Sequence, residues 1–126
     1  LKKNKQQILF ELNFKPQQAL KFIKKFNSTY FGINYDMGNS SSLGFRAKDE
    51  INAYGNYIKN VHIKDRYFKG TTVRLGKGDV DFDEVFYNLN KIKYEGNFIL
   101  QTARSNNGFH KKEINMNLNF LKKWFY

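Results

Sequence analysis

Two rhythms of apolar residues alternate along this chain. Ile8-Leu9-Phe10-Glu11-Leu12 is a short apolar run of strand length. Ala19, Leu20, Ile23 and Phe26 then share one face of a helix, with Lys21, Lys24 and Lys25 outside it. Pro16 stands where that helix starts, since its fixed φ and missing N–H suit a first helical position. A second unit has a strand over Tyr30–Tyr35 that ends at Asp36, a polar loop from Gly38 to Gly44, and a helix over about Lys48–Asn56 with Ile51 and Tyr54 inward. The third has a strand over Tyr57–Ile63 and a long loop, Asp65–Asp81, containing Gly70, Gly76 and Gly78. Asp81 and Glu84 have capping-box spacing for a helix with Val85, Leu89 and Ile92 on one face, and Gly96 is placed to terminate it. The fourth is a strand over Asn97–Thr102, followed by a helix over about Glu113–Phe125 with Ile114, Leu118, Leu121 and Phe125 at helical spacing.

Strands alternating with helices, without hairpin signals, predict an α/β fold: about four parallel strands covered by helices. The strand runs lack strict alternation, as expected of parallel strands buried on both faces. With 126 residues and no linker, the chain reads as one domain that buries roughly two-thirds of its unfolded surface. Apolar runs reach only three residues, as in Ile8-Leu9-Phe10 and Trp124-Phe125-Tyr126, so no membrane-spanning helix is expected. Leu1-Lys2-Lys3-Asn4-Lys5 leads into a strand rather than a signal-peptide core, and there is no Cys. A cytoplasmic location is the default expectation. The formal charge of +11 invites a nucleic-acid reading, but 18 of the 22 basic residues are lysines spread along the chain. Solvated helix faces explain such a distribution better, and nucleic acid is the less favoured partner.

Glu11, Asp36, His62 and Gln101 each fall at or near the C-terminal end of a predicted strand, at separations of 25, 26 and 39 residues that fit strand–helix units. In parallel sheets and barrels that edge builds the active site. Oxygen and nitrogen side chains converging there suit a divalent cation. His110, in a polar stretch, is expected to face solvent. Gly76 and Gly78 lack a phosphate-loop pattern and are expected to let the backbone turn towards Phe82.

Four blocks, Asn34-Tyr35-Asp36-Met37-Gly38-Asn39, Val61-His62-Ile63-Lys64-Asp65-Arg66, Leu75-Gly76-Lys77-Gly78-Asp79-Val80-Asp81-Phe82 and Phe98-Ile99-Leu100-Gln101, resemble the sugar phosphate isomerase/epimerase family of xylose-isomerase-like TIM barrels. The resemblance runs from about Ile8 to Thr102. It implies that residues 1–126 are one partial domain, the C-terminal half of a (β/α)8 barrel holding strands five to eight. It further implies that Glu11, Asp36, His62 and Gln101 ligate Mn2+, Mg2+ or Co2+, with Zn2+ as a further option. The implied chemistry is isomerisation or epimerisation of a sugar or sugar phosphate through an enediolate, with Glu11 removing the carbon-bound proton. Asn39, Lys64, Arg66 and Arg104 are candidate substrate contacts, since loops after the last barrel strands often bind phosphate; Asn39 suits capping the next turn as well, and the arginines are equally readable as solvated rim charges. Lys64 and Asp65 could alternatively pair locally and support His62.

The chain departs from the family in two ways. Gln101 stands where the family often has Glu, and a carboxamide can ligate through oxygen but cannot act as a base, which leaves one-base chemistry through Glu11. Four strands are half a barrel, with two open edges, so self-association or pairing with an N-terminal half is expected, and the portion alone could be inactive. Two alternatives stand beside this reading. One is an AP-endonuclease-like DNA repair protein, which would need more histidines than His62 and His110. The other is a non-catalytic fragment acting as an assembly module.

Overall fold

The computed structural model describes residues 2–4 and 6–125; Leu1, Lys5 and Tyr126, at the two ends read above, lie outside them. In chain order the elements are β1 (Ile8–Phe10), α1 (Pro16–Ile23), β2 (Phe31–Asp36), α2 (Met37–Ser42), α3 (Ala47–Tyr54), β3 (Ile58–Ile63), β4 (Asp65–Arg66), β5 (Thr72–Val73), α4 (Phe82–Lys91), β6 (Asn97–Leu100) and α5 (His110–Phe125). The strands β1, β2, β3 and β6 form one parallel sheet in that spatial order, as the alternating pattern predicts. Its register aligns Phe10 with Ile33, Asp36 with His62, and Ile63 with Leu100. The C-terminal ends of neighbouring strands therefore lie along one rim.

The helices cover one face. Ile33, Tyr35, Val61 and Ile63 on the strands pack against Ala19, Ile23, Ile51, Val85 and Leu89 on the helices, all buried. Full burial of such a side chain is worth about 1.5–3 kcal/mol, so this layer is the main source of stability. Pro16 opens α1 as expected, and Phe22 and Phe26 close on Phe10 with ring centroids 5.1 and 4.9 Å away. Asp81 accepts the Glu84 N–H at 2.8 Å, as its spacing predicts. The carboxylate of Glu84 turns instead to Arg46, at 2.8 Å, and to the Lys48 N–H.

Several local expectations fail for identifiable reasons. The segment read as a loop from Gly38 forms α2, because Asp36 caps it and Met37, Gly38, Ser40 and Ser42 are buried. The long loop contains an antiparallel pair, β4 with β5, two residues in each strand and too short to leave a periodic signal. Lys93, at φ 54°, takes the left-handed turn after α4 that was assigned to Gly96. On α5, Leu121 is buried, but Ile114, Leu118 and Phe125 are exposed, because β6 is the last strand of its sheet and offers α5 nothing beyond it. Asn117 is the buried residue instead; its side chain accepts from Leu75 N–H at 3.1 Å and donates to Glu113 O at 2.9 Å.

One charged side chain lies inside the helix layer. Glu50 on α3 is 2% exposed, and its Oε1 accepts from Ser40 Oγ at 2.9 Å and Tyr54 OH at 2.7 Å. Its Oε2 has no partner among the described residues. Burial pushes the carboxyl from its ordinary value of 4.5 up to about 7, against the opposing pull of these hydroxyls. The same burial, with Glu50 close by, raises the Tyr35 and Tyr54 hydroxyls. Among the described residues no helix is long and apolar enough to cross a membrane.

Candidate metal centre

Parallel pairing sets the site. β1, β2 and β3 are neighbours in space and run the same way, so residues at or just past their C-terminal ends share the rim. Glu11 directly follows β1, Asp36 ends β2, and His62 is next to last in β3. One ligand atom from each lies within 4.8 Å of the others. His62 Nδ1 is 3.4 Å from Glu11 Oε2 and 3.7 Å from Asp36 Oδ2. Two carboxylates and an imidazole at this spacing are a donor set that suits a divalent cation, so the residues present fit the group the sequence implies.

The surroundings hold each donor. The Asp36 side chain is 1% exposed; Oδ1 accepts the Asn39 N–H at 2.8 Å and Oδ2 faces Lys64 Nζ at 3.3 Å. One carboxylate thus starts α2 and contributes to the site. Gly38 makes this approach feasible, because a Cβ there would sit 2.7 Å from Lys64 Cγ and 3.0 Å from its carbonyl carbon. Glu11, with a side chain 40% exposed, accepts from Asn39 Nδ2 at 2.8 Å through Oε1 and from Asn34 Nδ2 at 2.9 Å through Oε2. Arg66 donates to Asn39 Oδ1 at 2.8 Å and twice to Gly70 O, so it reaches Glu11 through Asn39.

The other named residues fall into two groups. Asn39, Lys64 and Arg66 lie in the network just described. Gln101 follows β6 on the same rim, its N–H donating to Ile63 O at 2.9 Å, but its side chain is exposed and lines a depression of about 660 Å3 with Arg104, His110 and Glu113. Glu11, Asp36 and His62 do not line that depression. Lys64 pairs with Asp36, not with Asp65. Asp65 is fully buried and accepts the N–H groups of Gly76, Gly78 and Val80 at 2.8, 2.9 and 3.2 Å, shaping the loop that leads to α4. Gly78 is required there for space, since a Cβ would collide with Asp65 Oδ1, and Gly76, at φ 78°, takes the left-handed turn. His110 is exposed, as expected, but begins α5 rather than lying in a loop.

Sequence reading missed Asn34 and Asn60. Both precede a donor by two residues, Asn34 before Asp36 and Asn60 before His62, and therefore share its face of the strand. That spacing was the available signal.

Comparisons with known proteins agree with this architecture. UlaE of Escherichia coli O1:K1, an L-ribulose-5-phosphate 3-epimerase, is 32% identical over 87 residues, covering 67% of this chain and 30% of that protein. A xylose isomerase domain protein from Planctomyces limnophilus superposes with a TM-score of 0.81 at 24% identity, over 98% of this chain and 48% of that one. The protein IOLI, whose crystal structure carries a zinc atom, superposes with a TM-score of 0.75 at 19% identity, over 94% and 50%. The chain thus spans about half the length of these solved structures and about a third of the curated relatives it matches. The family described as the xylose isomerase-like TIM barrel matches residues 5–124, a stretch that takes in the whole parallel sheet and all three converging donors, and this chain belongs to it.

Proposed function

We propose that this chain is the ligand-bearing portion, strands five to eight, of a metal-dependent isomerase or epimerase that acts on a sugar or sugar phosphate. The convergence of Glu11, Asp36 and His62 within 4.8 Å carries the reading. These three would hold the cation, and Gln101 would join them as a fourth ligand through its amide oxygen by turning its exposed side chain away from the depression it lines. When bound, a divalent cation such as Mn2+, Mg2+, Co2+ or Zn2+ supplies Lewis-acid stabilisation of negative charge developing on a ketose oxygen.

The chain's own residues do the rest. Glu11 takes the carbon-bound proton beside the substrate carbonyl, giving an enediolate, and returns it from the same face to the neighbouring carbon; inversion at one carbon would need a second base from the rest of the barrel. Donors to both oxygens, from Asn39 and Asn34, fix the carboxylate while leaving each oxygen a lone pair. Lys64, beside Asp36, offsets negative charge in the site. Arg66 orients Asn39, and Arg104 sits on the rim with Gln101, where a phosphate or substrate hydroxyl would arrive. Gln101 cannot take a proton, so the chemistry uses one base. Turnover needs the loops of the remaining barrel.

Calorimetric titration of Mn2+ into the chain tests the reading. One site is expected, lost in both Asp36→Ala and His62→Ala; affinity unchanged in those variants defeats it. Deuterium uptake from solvent into a ketose phosphate, measured in a full barrel containing this portion, then tests the proton transfer.

A further inference from the structure

We infer that Asn34, its amide orientation fixed by Asn60, is the residue that positions Glu11 and His62 for the cation before the cation arrives. The inference rests on the metal site proposed above and assigns a deeper layer beneath it. Asn34 on β2 and Asn60 on β3 are register partners, each two residues before a donor. Asn60 Nδ2 donates to Asn34 Oδ1 at 2.6 Å. Asn34 Nδ2 in turn lies 2.9 Å from Glu11 Oε2, and 3.1 and 3.3 Å from the two ring nitrogens of His62.

The amide directions follow from the network. Were Asn34 reversed, its carbonyl oxygen would face the Glu11 carboxylate and its NH2 would face the NH2 of Asn60. Both contacts are repulsive, so the pair has one consistent arrangement. Asn34 is 8% exposed, which removes water as an alternative partner for most of its surface.

The contact to His62 has an informative shape. Near-equal distances place the amide nitrogen between the two ring nitrogens, off the lone-pair axis of either. Asn34 therefore restrains the imidazole through an N–H···ring contact and leaves its lone pair available. It restrains Glu11 differently, through a direct hydrogen bond. Glu11 extends from β1, the edge strand, on a half-exposed side chain, and is the donor most in need of a fixed rotamer. A single buried amide thus ties a donor from β1 to one from β3.

Outer partners that orient metal ligands typically change affinity by about 10–100-fold when removed. The test titrates Mn2+ by calorimetry and records the visible absorption of bound Co2+, which reads ligand geometry directly, in wild type, Asn34→Leu, Asn60→Leu and the double variant. Asn34→Leu should weaken Mn2+ by about 10–100-fold and alter the Co2+ band. Asn60→Leu should weaken it less, and the double variant should match Asn34→Leu, because Asn60 acts only through Asn34. Wild-type affinity in Asn34→Leu, or fully additive effects, overturns the inference while leaving the metal site standing. Absence of binding in wild type overturns both. If Asn34→Leu does not fold, Asn60→Leu decides alone, and unchanged affinity and spectrum there are fatal to the inference.

Discussion

Replacing Glu50 by Gln should make the protein more stable as pH rises, relative to wild type. The carboxyl sits at about 7 in the folded chain, against an ordinary 4.5. The folded form therefore holds its proton more tightly than the unfolded form. Stability from this group is complete below about 4.5, falls as pH climbs from there through 7, and is level above. The whole span corresponds to about 3 kcal/mol. Between pH 5 and pH 8 the difference between Glu50→Gln and wild type should widen by about 2.5 kcal/mol. The absolute difference is less diagnostic, because the new amide places an NH2 where Oε2 has no partner, at a cost of about 1–3 kcal/mol for an unmet buried donor. That cost does not vary with pH, so the slope isolates the titration. Urea denaturation of both proteins at unit intervals from pH 5 to 8, with equal m-values, measures it. Curves that stay parallel would refute the reasoning, since they would mean that Glu50 ionises as freely inside the helix layer as in water.

Three further outcomes are expected. Asp65→Ala strips the partner from three backbone N–H groups in the loop before α4, and should cost about 3 kcal/mol or more in denaturant titrations, with earlier proteolysis in that loop. Ile51→Ala, at a position 2% exposed between α3 and the sheet, should cost about 2–5 kcal/mol by the same assay without altering cation affinity. Arg74 and Glu113 form a two-pronged pair at 2.6 and 2.7 Å, but Arg74 is substantially exposed, so Arg74→Ala should barely move the urea midpoint, and move it less in high salt.

The elements with a strong period were legible in the sequence. Four strand–helix units, the Pro16 helix start and the Asp81 cap follow from local rules that tertiary contacts did not override. The convergence of Glu11, Asp36 and His62 was legible too, because a parallel sheet turns equivalent sequence positions into spatial neighbours. What escaped depends on contacts between distant residues. α2 is rich in Ser and Gly, poor helix formers, and exists because Asp36 caps it and Ser40 reaches Glu50. Asn117 reads as a polar interruption of an apolar stripe until Leu75 N–H, 42 residues away in sequence, is seen to need it. Glu50 looks like a surface charge beside Ile51. Lys64 had two acidic neighbours to choose from, and chain proximity favoured the wrong one.

The donors at the rim come from β1, β2 and β3, which are consecutive both along the chain and across the sheet. Their meeting point therefore depends on two strand junctions and not on ring closure. The Asp65–Asp81 excursion beyond Arg66 can therefore vary in length without displacing Glu11, Asp36 or His62. Three adjacent strands thus suffice to assemble the donors, and the outlying loops lie outside that triplet.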